Sequence, residues 1–394
     1  MDSKRVARFL PYIIAVAIAG MYLLHINNDF IYDDTIVILK QEPVRSISDV
    51  VRIFTEQHYL NFTYYRPITR TTLLLQKAWH GENAVPFHAF NAILIGLYAL
   101  ILIKLFSLPI LGIRRELAYM AAALCALHPV ASEVVYPIAS GRETLLSSVF
   151  VLFALYAYLK PERFYFALAS VSYLLSLFCK EQAIMLPLVF VAADSLGLSG
   201  LKPRKNLRGW SVKYSIIGAI TLAYLIIRHA LFDGSEYALN QVILGPILTV
   251  VYALQVIIAP TAQLIYEPTG SSVFSLPRLV FVTLVLVVLV WQVAKHWREM
   301  QTLILFWTIF FIVFLLPTAN IIQQDASYSE RYVFVSMVGL MAIIFNVLSA
   351  CWKPATWKYL FSIVIALTLA AAGMTYYRGS FYVDNLTFYG QWVK

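Results

Sequence analysis

The sequence predicts an all-α polytopic membrane protein, and composition and hydropathy are the observations that predict it. Of 394 residues, 60% are hydrophobic and 13% are charged, against about 45–50% and about 25% in soluble domains. Apolar windows long enough to cross a bilayer, about 20 residues each, recur along the chain. We therefore expect one integral membrane domain over residues 1–377, followed by a short extracytoplasmic tail at 378–394.

The windows predict about 11 transmembrane helices. If a further apolar stretch at 241–260 also crossed, the basic turn at Lys295 would lie outside and the acidic loop at Glu330 inside. That arrangement would violate the positive-inside rule, so a re-entrant or interfacial helix is favoured there. The predicted spans are 9–27, 88–106, 117–136, 144–160, 163–179, 182–198, 213–231, 278–295, 301–319, 332–351 and 357–377.

The net charge of +9 comes from Lys and Arg residues dispersed between the spans. A nucleic-acid-binding protein would gather them into a patch or stripe, so no nucleic-acid partner is expected. Lys4, Arg5 and Arg8 open the first window, which we expect to be retained as a span with a cytoplasmic amino terminus. The three cysteines are too far apart to predict a zinc site or a disulfide framework.

The first extracytoplasmic loop, 28–87, is the longest segment between predicted spans. Its amphipathic stretch VRSISDVVRIFTEQ predicts a helix lying on the membrane surface. Long loops with structure of their own are usually functional, so this loop is the first place to seek a site.

Polar residues near spans are costly, and here they recur at the outer ends of the helices and in the outer loops. Carboxylates can supply a general base, and Arg and Lys can hold an anionic phosphate, so the set predicts group transfer from a phosphate-bearing substrate. Each residue also has an ordinary explanation, such as an acidic loop start, a satisfied interfacial pair or a snorkelling lysine. The candidates are Asp33, Asp34, Arg66, His88, Asn91, His128, Glu133, Arg142, Lys180, Glu330 and Arg331.

Asp33 and Asp34 are the leading candidates, because two adjacent carboxylates in a confined site raise one pKa and separate a base from its neighbour. No DxD spacing or histidine cluster accompanies them. The sequence therefore predicts no required cofactor and leaves a divalent cation open.

Six ordered motifs resemble those of the TMTC family, protein O-mannosyltransferases of the endoplasmic reticulum with a GT-C fold. They cover roughly residues 30–340. The motifs are YDDTIVI, YYRPITRTTLLLQKAWHG, PFHAFNAIL, LHPVASEVVYPIASGRETLLSSVFVL, CKEQAI and SERYVFVSMVGL.

The resemblance implies a GT-C glycosyltransferase with a polyprenyl or dolichyl phosphate sugar as donor, mannose by family default. It implies that Asp33, with Asp34 beside it, is the base that deprotonates an acceptor hydroxyl in a single inverting displacement on the extracytoplasmic side. Glu133 would help shape the sugar or acceptor site. The remaining residues fall into two groups: Arg142, Lys180 and Arg331 for the donor phosphate, and Arg66, His88, Asn91, His128 and Glu330 for sugar or acceptor.

Two departures from the family affect the acceptor. The tetratricopeptide repeats of the animal proteins are not present after the last span, and Ala131 replaces the second histidine of the family's HPxHTE motif. A compact relative fits a bacterial or archaeal cytoplasmic membrane, or the endoplasmic reticulum if the source is eukaryotic. The expected acceptor is Ser or Thr of an exported protein such as a pilin.

Other functions stay open. A GT-C transferase could modify a lipid or a cell-envelope glycan, with another hexose or a pentose as the sugar. A transporter also keeps ionisable residues in the membrane, but near the midplane and often on inverted repeats. A non-catalytic scaffold would be free to lose the candidates that this chain keeps together.

Overall fold

The computed structural model describes residues 3–56, 64–199, 207–231, 245–261, 275–319, 328–353, 355 and 357–390. Within these ranges the chain is helical and contains no β-strand. The helices are α1 (Ser3–Tyr22), α2 (Ile47–Ile53), α3 (Pro67–His80), α4 (Ala84–Phe106), α5 (Arg115–Leu127), α6 (Ser132–Val135), α7 (Ile138–Tyr158), α8 (Arg163–Leu177), α9 (Leu186–Ser195), α10 (Leu207–Leu231), α11 (Gly245–Ile258), α12 (Leu276–Lys295), α13 (Trp297–Leu315), α14 (Glu330–Ala350), α15 (Trp357–Gly379) and α16 (Asn385–Gly390).

The predicted all-α polytopic fold is confirmed. Among the described residues, eight helices are long and apolar enough to cross a membrane: α1, α4, α7, α10, α12, α13, α14 and α15. A ninth candidate is formed by α5 and the segment Pro129–Val135, which meet at an angle of 47°.

In the part of the chain that the structure describes, the number of long helices differs from the roughly eleven spans predicted. The windows at 163–179 and 182–198 correspond to α8, of 15 residues, and α9, of 10 residues. At about 1.5 Å per residue, both are shorter than the apolar core of a bilayer. The stretch at 241–260 contains α11, whose 14 residues are also shorter than a full span.

Small residues let the central helices approach closely. A Cβ at Gly96 of α4 would lie 2.9 Å from the carbonyl oxygen of Ala15 in α1. At Gly339 of α14 it would lie 2.7 Å from the carbonyl oxygen of Trp307 in α13. Without a driving force from water, such close van der Waals contact is the main source of helix association in a bilayer.

The chain turns sharply between α5 and α7. Pro129 follows the end of α5, and the short α6 leads into Pro137, the residue before α7. A Cβ at Gly141 would lie only 2.4 Å from the carbonyl oxygen of Val134. Glycine at this position therefore allows α7 to begin directly against α6.

We call the end of the bundle where α4, α7 and α14 begin, and where α1, α5 and α15 finish, the site end. The first loop folds there through α2, α3 and a helical turn at Thr35–Leu39. Ser46 and Asp49 form a capping box that starts α2 within the stretch predicted to be an amphipathic helix.

The end of the described chain folds back onto this loop. The amide of Asp29 donates to the carbonyl of Val383 (2.8 Å), and the amide of Tyr32 donates to Oδ1 of Asn385 (2.9 Å). The segment predicted as a tail therefore begins inside α15 and continues against the site end.

Candidate active site

The two adjacent aspartates of the first loop lie in different environments. Asp34 is fully buried, whereas Asp33 is half-buried. Tyr32, just before them, has a backbone φ of 53°, in the left-handed region that residues other than glycine rarely adopt. The loop therefore turns tightly at Tyr32 and presents its two carboxylates differently.

Asp34 is held by backbone amides at the start of α7. Its Oδ1 accepts from Ala139 (2.7 Å), and its Oδ2 accepts from Ile31 (3.1 Å) and Ile138 (3.4 Å). Burial raises the pKa of Asp34 to about 7, although the three amides act in the opposite direction. Asp34 thus ties the first loop to the first turn of α7, where the helix dipole favours an anion.

Arg142, predicted to bind the donor phosphate, is fully buried and donates to groups of the protein. Its Nε donates to Oδ1 of Asn91 (3.0 Å), Nη2 donates to the carbonyl of Phe87 (3.0 Å), and Nη1 donates to Oε1 of Gln76. The ring of Phe90 lies 4.6 Å from its guanidinium carbon. Arg142 therefore links α3, α4 and α7.

His88 and Asn91 share one face of α4, as their spacing predicts. The amide nitrogen of Asn91 points at the carbonyls of Val135 (3.2 Å) and Ile138 (3.3 Å). Nε2 of His88 is buried and has no hydrogen-bond partner among the described residues. Asn91 thus fixes the turn between α6 and α7. Nε2 of His88 is left without a hydrogen bond to the described part of the protein.

Arg66 is enclosed by two carboxylates. Its Nε donates to Oε2 of Glu181 (2.8 Å), Nη2 donates to Oε1 of the same residue, and Nη1 reaches Oε2 of Glu143. Burial alone would raise the pKa of Glu181, but the charge and hydrogen bonds of Arg66 bring it below its usual value. The arginine joins the end of the first loop to α7 and to the residue after Lys180.

Lys180 is buried next to this group. Its Nζ donates to Oγ1 of Thr144 (2.8 Å) and lies 3.8 Å from Oε1 of Glu143. Burial lowers its pKa to about 8, with Glu143 acting in the opposite direction. Lys180 is therefore a cation at neutral pH that loses its proton more readily than an exposed lysine.

Glu133 accepts hydrogen bonds from residues at the start of α14. Its Oε1 accepts from the hydroxyl of Ser329 (2.5 Å), and its Oε2 accepts from the amide of Arg331 (3.2 Å). Because the first amides of a helix lack partners within the helix, this buried carboxylate satisfies one of them. Glu133 therefore positions Arg331 through its backbone.

Arg331 and Lys180 converge on one aromatic ring. The Tyr332 ring centroid lies 5.6 Å from the guanidinium carbon of Arg331 and 5.7 Å from Nζ of Lys180. The same guanidinium carbon lies 5.9 Å from the ring centroid of Tyr32, the residue before Asp33. The structure thus places Arg331 beside the loop that carries the predicted base, and it places Lys180 against the same Tyr332 ring as Arg331.

Glu330 pairs with Arg378, a residue outside the predicted site. Nη2 of Arg378 donates to Oε1 of Glu330 (2.9 Å), and Nη1 donates to Oε2. Nη1 also donates to the carbonyl of Pro129 (2.8 Å), and Nε donates to that of Thr261 (3.0 Å). Both charged side chains are buried, so the pair fastens α14 to α15 at the site end.

His128 is also held by the backbone. Its Nδ1 accepts from the amide of Val130 (3.3 Å), and its Nε2 lies 3.0 Å from the carbonyl of Ile257. These partners fix a neutral ring with the proton on Nε2. No group of three or more His, Cys, Asp or Glu side chains that could hold a metal is found in the part of the chain that the structure describes.

The sequence did not point to three residues that complete these contacts: Gln76, Thr144 and Ser329. Each is an uncharged polar residue next to a charged one that was predicted. Arg378 could have been identified from the sequence. A cation at the outer end of an apolar window, with no acidic residue directly beside it, needs a partner from elsewhere in the chain.

No family model and no solved structure matches the chain. It is similar to a protein O-mannosyl-transferase of Caenorhabditis elegans, with 28% identity over 191 residues that make up 44% of this chain and 26% of that protein. It is also similar to the protein O-mannosyl-transferase TMTC3 of Mus musculus, with 25% identity over 186 residues, 44% of this chain and 20% of the relative. The chain spans about a quarter of the first relative's length and a fifth of the second's. It is thus a helical protein with several helices suited to crossing a membrane and with weak similarity to protein O-mannosyl-transferases.

Proposed function

We propose that the chain is an integral membrane glycosyltransferase that moves one sugar from a polyprenyl phosphate donor to an acceptor hydroxyl with inversion. The similarity to two O-mannosyl-transferases and the apolar helices support a membrane glycosyltransferase. The donor, the extracytoplasmic side and the GT-C fold belong to the proposal. They rest on the motifs and on the distribution of Lys and Arg.

The arrangement of Asp33, Arg331 and Lys180 is the observation that carries the proposal. A half-buried carboxylate lies on a tight loop beside Arg331, and Arg331 shares the Tyr332 ring with Lys180. Transfer from a phosphate donor requires a base for the acceptor hydroxyl and cations for the phosphate, and these residues can supply both.

In the proposed reaction, Asp33 takes the proton of the acceptor hydroxyl as its oxygen bonds to the anomeric carbon. The bond between that carbon and the donor phosphate oxygen breaks, and polyprenyl phosphate leaves with the bonding electrons. Arg331 and Lys180 stabilise the negative charge that develops on the phosphate, because cations act more strongly in a site that excludes water. One displacement at the anomeric carbon inverts its configuration.

Asp33 is a better base than Asp34 because the oxygens of Asp34 already accept from three amides, two at the start of α7 and that of Ile31 in the first loop. Arg142 and Arg66, enclosed by protein acceptors, are positioning residues in this proposal. Glu133 acts in the same way, by placing Arg331.

We propose mannose as the sugar and Ser or Thr of an exported protein, such as a pilin, as the acceptor. The similarity to protein O-mannosyl-transferases supports transfer of mannose to protein hydroxyls. The location proposed is a bacterial or archaeal cytoplasmic membrane, with the site on the extracytoplasmic side.

The test is to supply the purified full chain in lipid with a panel of polyprenyl phosphate sugars and measure release of polyprenyl phosphate. We expect turnover of at least one donor by the native chain. Lys180→Gln and Arg331→Gln should reduce this turnover, whereas the exposed control variant Arg163→Gln should leave it unchanged. A native chain inactive on every donor, in the presence of total exported protein and of envelope glycan, would contradict it. Mass spectrometry of the glycosylated acceptor distinguishes a protein from a glycan.

A further inference from the structure

A second polar region lies at the end of the bundle opposite the site end. A cavity of about 600 Å³ opens there between α1, α4 and α5, and Arg8, Lys104 and Arg115 contribute three cations to its lining. Lys104 lies 16 residues beyond His88 along α4, or about 24 Å at 1.5 Å per residue. The cavity is thus separated from the candidate active site by most of the thickness of a bilayer.

Hydroxyl groups accompany the cations. Ser107 and Tyr119 also line the cavity. Oγ of Ser107 is buried and has no hydrogen-bond partner among the described residues. The hydroxyl of Tyr119 accepts from Nε of Arg115 at 2.8 Å, which holds this guanidinium at the cavity wall. The cavity therefore combines positive charge with an unused buried hydroxyl.

Among the described residues that line the cavity, none is acidic. Within the described residues, no ion pair is formed by Arg8 or Lys104, and Glu116, next to Arg115 in sequence, is not part of the wall. Arg115 is also the first residue of α5, and no side chain caps that helix. The first amides of α5 add to the positive potential on the same side.

The apolar part of the surroundings indicates what kind of anion fits. Pro11 and Ile103 complete the wall. On α1, which contributes Arg8 and Pro11 to the wall, Ile13 and Val16 are 55% and 72% exposed. A soluble phosphate compound would make no use of these exposed apolar side chains of α1, whereas the acyl chains of a lipid would.

We propose that this cavity binds the phosphate of an anionic phospholipid headgroup in the leaflet opposite the candidate active site. Basic pockets between transmembrane helices are a recurrent form of recognition for anionic headgroups. The phosphodiester accepts from Lys104, Arg115 and the Ser107 hydroxyl, while the acyl chains follow α1. The cations thus form a defined lipid site in addition to following the positive-inside rule.

Native mass spectrometry of the full chain in detergent tests this site, with dioleoylphosphatidylglycerol or dioleoylphosphatidylcholine added. We expect one phosphatidylglycerol to be retained more strongly than phosphatidylcholine. The double variant Lys104→Gln/Arg115→Gln should bind it about 25-fold more weakly, since each cation near an anionic lipid contributes about a five-fold change. The matched control, Lys295→Gln/Arg298→Gln, removes two exposed cations away from the cavity and should bind like the native chain.

Equal loss of phosphatidylglycerol in both double variants would overturn the proposal, and so would unchanged retention in the cavity variant. Because the variants change exposed side chains, their thermal unfolding in detergent should match that of the native chain and verify their folding. A final arm adds glycerol phosphate and inorganic phosphate. If these compounds bind the native chain and phosphatidylglycerol does not displace them, the ligand is a soluble phosphate and the lipid assignment is wrong.

Discussion

The buried pair of Glu330 and Arg378 gives a prediction about stability that the sequence alone could not make. From sequence, Glu330 is a candidate for binding sugar or acceptor, whereas the structure pairs it with Arg378. Two single variants and their combination separate these roles. The variants are Arg378→Met, Glu330→Gln and the double variant.

The contacts set the expected magnitudes. Arg378→Met leaves the Glu330 carboxylate buried without its cation, which costs about 3–5 kcal/mol of unfolding free energy. Glu330→Gln leaves Arg378 with the carbonyls of Pro129 and Thr261, so we expect a smaller loss of about 1–3 kcal/mol. The double variant should be more stable than the sum of the single losses predicts, by about 2 kcal/mol.

Tryptophan fluorescence during thermal unfolding of the purified chain in detergent measures these differences. Arg163→Met is a matched control, because Arg163 is exposed at the start of α8. The reasoning is refuted if Arg378→Met is no less stable than this control, or if the single losses simply add. If Glu330→Gln leaves stability unchanged but abolishes sugar transfer, Glu330 contacts a substrate instead.

Two further predictions concern α7 and the candidate phosphate site. Gly141→Ala forces a Cβ to within 2.4 Å of the Val134 carbonyl oxygen and should cost about 1–3 kcal/mol by thermal unfolding. Gly218→Ala, with no atom within 4 Å in the middle of α10, should leave stability unchanged or raise it; equal effects of the two would contradict the packing. Lys180 loses its proton as pH rises through its pKa of about 8, so the KM for the sugar donor should rise above that pH. Lys180→Gln should raise KM about tenfold at pH 7 and flatten the profile, and an unchanged profile would exclude Lys180 from donor binding.

The sequence predicted the helical membrane fold because the composition and the apolar windows report directly on the bilayer. Among the described residues, the windows at 163–179 and 182–198 predict two spans separated only by Lys180 and Glu181, whereas the shorter helices α8 and α9 lie on either side of this polar break. Arg66 and Glu143 stabilise this break from far along the chain, which no local window can detect.

The candidate site shows the same limit. Sequence located the polar residues of one end of the bundle, because charge near an apolar span is costly. It could not distinguish a side chain that faces a substrate from one enclosed by protein. Arg142 is enclosed by partners on α3 and α4, whereas Arg331 lies beside Tyr32 and Tyr332.

The most direct test of the proposed mechanism compares Asp33→Asn with Asp34→Asn. The measurement is kcat for release of polyprenyl phosphate from a sugar donor that the native chain accepts, with thermal unfolding of each variant in parallel. The mechanism predicts that Asp33→Asn unfolds like the native chain and loses at least about 100-fold in kcat. Native turnover in Asp33→Asn, or a loss confined to a normally folded Asp34→Asn, would contradict it.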